Sequence, residues 1–126
     1  MDEAADIRRL RWRKKLIEAW KWVVDPSGLK YCEAACGSYG GGDCEKCENR
    51  APRLLSRNIE AWKLWSYACT QWRASMAGIV GIDYTAVKTI AKALNIKMDT
   101  VMISKIHALE SYELGRMAEE AKKHEQ

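Results

Sequence analysis

Apolar side chains recur three and four residues apart in four separate stretches of this chain, which is the spacing of helices buried along one side. In residues 3–24, Ile7, Leu10, Ile17, Trp20 and Val24 share a stripe that Lys14 interrupts, and Leu16 and Val23 widen it. This first predicted helix stops at Asp25-Pro26-Ser27-Gly28, because proline has no N–H to continue the ladder and glycine tolerates the turn. A second helix is predicted from near Pro52, where Leu55, Ile59, Trp62, Trp65, Cys69, Trp72 and Met76 step by three or four. It is expected to supply the core, with Trp62, Cys69 and Trp72 largely buried. Ala77-Gly78-Ile79-Val80-Gly81 breaks the pattern.

Asp83 then offers a carboxylate to the orphan backbone N–H groups of a third, short helix, whose face is Tyr84, Val87, Ile90, Ala91 and Leu94. Asn95 suits the left-handed position at its end. Asp99 can cap a fourth helix with the stripe Met102, Ile106, Leu109, Glu113 and Met117, flanked by Ile103 and Tyr112. Its charged tail is expected to fray. No alternation of period two runs beyond a few residues, and no internal repeat is visible. The expected architecture is therefore all-α. About four helices form one small orthogonal or bundle-like domain over residues 1–126, with a basic N-terminal helix (3–24), a Cys/Gly-rich loop (25–52), a helical core (53–118) and a frayed tail (119–126).

Residues 28–52 change the picture, since they hold five glycines, four cysteines and almost no aliphatic side chains. Such a stretch cannot bury enough apolar area to order itself. Its cysteines are spaced Cys32-x3-Cys36 and Cys44-x2-Cys47, two close pairs that can put four thiolates around one structural zinc ion. Lys30, Lys46 and Arg50 can offset the charge of that site. Free thiols and disulfides formed on oxidation remain the alternatives. Any tetrathiolate site would be closed, with no open position for a substrate.

Composition adds that 48% of the 126 residues are apolar, enough for one core, and that six tryptophans and no phenylalanine carry its aromatic bulk. The net charge of +4 permits nucleic-acid binding without requiring it. Arg8, Arg9, Arg11, Arg13, Lys14 and Lys15 crowd the first helix around Trp12, either as a solvated face offset by Asp2, Glu3 and Asp6 or as a surface for an anionic partner. On the second view Arg9 and Arg13 are candidate contacts. Residues 86–106 mimic a helix-turn-helix, with Ile90, Ala91, Leu94, Ile96 and Val101 as its apolar contacts. The exposed candidates on its second helix, Asp99, Thr100, Ser104 and Lys105, include no Arg, Asn or Gln able to read a base edge in bidentate fashion.

Catalytic chemistry finds no foothold: there is no P-loop, dinucleotide fingerprint or nucleophile elbow. Cys69 reads as a small core residue and His107 as a surface or boundary residue. With no targeting segment and no run near the ~20 apolar residues that span a bilayer, the expected setting is the cytoplasm.

Two motifs carry a family resemblance. Asn58-x3-Trp62 followed by Thr70-Gln71-Trp72-Arg73, and the run from Met76 through Ile82-Asp83-Tyr84 to Val87, resemble a family of small phage and prophage proteins. In that family a Gln-Trp-Arg motif precedes a Gly-rich turn and a (Leu/Ile)-Asp-Tyr helix start. Its genes lie among tail morphogenesis genes, beside those of the tail-tube protein, the tail assembly chaperone and the tape measure protein. The resemblance implies a non-enzymatic role in tail assembly, chaperone-like or as a minor tail component, in the host cytoplasm or the virion. Gln71 and Arg73, off the apolar stripe, become candidate partner contacts. The competing expectation is a nucleic-acid-binding regulator that uses the basic helix, the cysteine knuckle or segment 86–106.

Overall fold

The computed structural model describes residues 3–25, 27, 30 and 51–124, with side chains from residue 11 onward. The chain divides into two compact units, Met1–Leu55 and Ser56–Gln126. The first contains helix α1 (Glu3–Val24). Its buried positions are Leu16 and Ala19, with Trp12, Lys15, Ile17 and Trp20 half-buried and Val23 exposed. The buried face thus runs Trp12–Leu16–Ala19, rotated away from the expected stripe. The rotation leaves Lys14 in solvent instead of burying an ammonium group.

The second unit opens with a 3-10 turn (Ser56–Asn58) that runs into α2 (Ile59–Ala68). A hairpin follows, β1 (Trp72–Ser75) and β2 (Gly78–Ile82), then α3 (Tyr84–Ala93) and α4 (Thr100–His124). The strands pair antiparallel, Trp72 opposite Ile82 and Ser75 opposite Gly78, with an irregularity between Arg73 and Ala74. Among the described residues, four α-helices and a two-stranded sheet make the fold mixed, which corrects the all-α expectation. The predicted second helix ran through Trp72 and Met76 because their spacing continues a helical stripe by coincidence. The chain leaves the helix after Ala68, and Ile79, Val80 and Ile82 are strand formers. Gly78 supplies the positive φ, +116°, that closes the tight turn after Met76-Ala77. Ser75 fixes that turn, its hydroxyl oxygen accepting the Ala77 N–H at 3.1 Å.

The core of this unit is built from Ala61, Leu64, Trp65 and Ala68 of α2, Ile82, Val87 and Ala91, Ile96, and Met102, Ile106 and Leu109 of α4. Each fully buried Leu or Ile contributes roughly 1.5–3 kcal/mol relative to exposure. Trp62, Cys69 and Trp72 are only half-buried, so the face of α2 is turned from the expected one. Asn58, Ala61, Trp65 and Ala68 form it instead, with small alanines allowing close approach. The caps behave as expected. The Asp83 carboxylate accepts the N–H groups of Thr85 and Ala86, and Asp99 accepts that of Met102 at 2.9 Å. Asn95 has φ 59°. Helix α4 runs through His124. Among the described residues, no helix is long and apolar enough to cross a membrane.

Candidate functional site

The hairpin of the second unit displays apolar side chains to solvent. Turn residue Met76 is fully exposed, and Ile79 and Val80 of β2 are 43% and 56% exposed. Side chains alternate along a strand, so Gln71 and Arg73 project from one face while Trp72 turns to the other. Trp72 meets Trp65 of α2 edge to face, with ring centroids 6.1 Å apart and planes at 83°. That contact anchors the start of the hairpin and leaves Gln71 and Arg73 exposed. The backbone of Gln71 closes the base of the hairpin, donating to Ala68 O at 2.9 Å and accepting from Asp83 N–H at 2.8 Å. Its side-chain amide donates to the Thr70 hydroxyl at 3.4 Å. Among the described residues no carboxylate pairs with Arg73.

The second strand is held at the same base by a buried carboxylate that sequence reading missed. Glu110 of α4 accepts the Ile82 backbone N–H at 2.7 Å and the Tyr84 hydroxyl at 3.0 Å. His107, one turn earlier on α4, places Nδ1 at 3.1 Å from the same carboxylate, while its side chain stays two-thirds exposed. A Cβ on Gly81 would lie 3.2 Å from a Glu110 oxygen, so a larger residue there would make the carboxylate give by a few tenths of an ångström. Burial, with the hydrogen bond and charge of Glu110 after it, pushes the Tyr84 hydroxyl well above the usual tyrosine range. It therefore stays a donor at neutral pH. Glu113 is buried one turn on and takes a bidentate contact from Arg116, whose Nε donates at 3.0 Å. The only sequence signal for these carboxylates was that Glu113 fell on the apolar stripe; Glu110 beside it carried none.

Elsewhere the predicted residues scatter. Arg13 is exposed on α1, and Arg9 falls in the part of that helix described by its backbone alone. Cys32, Cys36, Cys44 and Cys47, the candidate zinc ligands, lie outside the described residues. Cys69 is half-buried, and burial pushes its thiol up, the reverse of what activates a nucleophilic cysteine. His107 is the exposed boundary residue expected. In the helix-turn-helix-like segment, Lys105 is buried rather than exposed and its ammonium donates to the Arg57 carbonyl. Burial, and next the Arg57 charge, push that ammonium down. Val101 is 58% exposed where a packed contact was expected.

Residues 53–117, which hold the hairpin and all of its anchors, match the model of the family described as "Phage related hypothetical protein (DUF1799)". No curated protein and no solved structure matches the chain.

Proposed function

The chain belongs to this phage-related family, and we propose that it is a non-enzymatic tail assembly protein, chaperone-like or a minor tail component, that acts by binding other tail proteins. The observation that carries this reading is the hairpin. Its Met76, Ile79 and Val80 are exposed, as is Arg73 on the paired strand, and methionine and arginine are enriched where proteins meet. A strand pair tied down at its base leaves its backbone little conformational entropy to lose on docking. The setting proposed is the host cytoplasm during assembly. The partner is the tail-tube protein, the tail assembly chaperone or the tape measure protein. A structural zinc ion on Cys32, Cys36, Cys44 and Cys47 belongs to the same proposal. Reading of DNA bases does not, because Lys105 is turned inward.

The test is co-expression of the full chain with each of those three tail proteins, followed by co-purification. One of them should co-elute with the wild type. The Met76→Asp, Val80→Asp double variant should lose the complex by at least about tenfold in affinity, a change of about 1.4 kcal/mol, with an unchanged melting temperature. Failure of all three to co-elute, or equal capture by wild type and variant, overturns the reading.

A further inference from the structure

A second feature of the chain stands apart from the hairpin and does not depend on the tail-assembly reading. Between Asp83 and Asp99 the sequence holds three lysines and no acid. The fold gathers those three, Lys88, Lys92 and Lys97, around one hollow of about 460 Å³ where α3 ends and the chain turns toward α4. Ligand pockets run from about 300 to 1,000 Å³. Buried Ala91 and Ile96 line the floor, Asn95 adds an amide, and the lysines are exposed. We propose that this hollow binds phosphate groups.

Three arguments support the assignment. First, helix capping explains only one of the lysines. Lys92 is in the last turn of α3, where a cation is favourable to the helix dipole, but Lys88 lies a turn earlier and Lys97 beyond the end. Second, their charges are not neutralised within the chain. Among the described residues none of the three is in an ion pair. The two carboxylates that flank the segment, Asp83 and Asp99, are engaged in capping their own helices. Third, three of the last four carbonyls of α3, which would otherwise repel an anion, are already bonded: Ile90 O by Leu94 N–H, Ala91 O by Ile96 N–H and Lys92 O by Asn95 N–H.

Phosphate suits this geometry better than carboxylate. A terminal phosphate group brings up to two negative charges and three acceptor oxygens in a small volume, so several ammonium groups can share it. A carboxylate brings one charge, as does each phosphodiester of a nucleic-acid backbone, where the lysines would share closely spaced phosphates instead. Lysine meets phosphate as a flexible point charge, without the planar fork that reads base edges, so recognition of charge without sequence is expected.

The phosphate can come from a small polyphosphate or from a nucleic-acid backbone, and the experiment separates the two. The full chain is titrated with pyrophosphate, with single-stranded oligothymidine and with an oligoglutamate peptide over a salt series. At least one phosphate probe should bind at low salt and oligoglutamate should bind at least about tenfold more weakly. Pyrophosphate binding as tight as that of the oligonucleotide marks a small-ligand site, and oligonucleotide binding alone marks a backbone site. For the oligonucleotide, Lys88→Gln with Lys92→Gln should lower the slope of log K against log salt by about 0.7 per lysine. Lys122→Gln with Lys123→Gln, two exposed lysines in the last turn of α4, should leave binding unchanged. No binding of either phosphate probe, equal binding of oligoglutamate, or loss through the α4 variants instead of the Lys88 and Lys92 variants overturns the proposal.

Discussion

One carboxylate decides how the hairpin is held. Glu110 is buried, yet it meets a backbone donor from β2, the Tyr84 hydroxyl and the His107 ring, so its charge is repaid by hydrogen bonds. Glu110→Gln keeps the shape but replaces one acceptor oxygen with a donor, which would face either Ile82 N–H or Tyr84 O–H. The expected loss is about 1.5–3 kcal/mol, the range for hydrogen bonds to a charged group, read from urea denaturation. A loss within ~0.5 kcal/mol, the range of an ordinary surface substitution, would show that the carboxylate does not hold β2.

At the scale of elements, α2 and the hairpin form one packed piece through Trp65 and Trp72. Trp65 is wholly buried and Trp62, three residues earlier, is only half-buried. Trp65→Ala should therefore cost about 3–5 kcal/mol, and Trp62→Ala clearly less. Denaturation of both variants checks the order. If Trp62→Ala were the more damaging, the face of α2 would be the one its tryptophan spacing suggests. Repeated large apolar residues mark a helix well but mark its buried face poorly, because Ala61 and Ala68 do much of the burying and carry little hydrophobic signal.

For the whole molecule, the second unit has its own core and caps, and the cysteine pairs lie before it in the sequence. If the four cysteines bind zinc, protein prepared reduced and without chelator should carry about one zinc per chain. Acidification should release it, because protons compete for thiolates. Chelation should leave the melting of residues 56–124 unchanged. Zinc content near zero, with all four thiols alkylating as fast as a model peptide, would remove the clasp.

Much of the local structure was determined by the sequence alone. Asp83, Asn95 and Asp99 set the helix boundaries they were expected to set, since capping depends on a short side chain and its nearest backbone groups. A phage-related family was also expected from the sequence, and residues 53–117 match one. What only the tertiary structure decided is everything that depends on distant partners. Trp72 became a strand residue because it pairs with Ile82 and packs on Trp65. Glu110 became an anchor through a donor 28 positions away. Lys105 turned inward to a carbonyl 48 positions away. Periodicity records which residues share a face of one element; it does not record which other element meets that face, and burial and charge pairing are settled there.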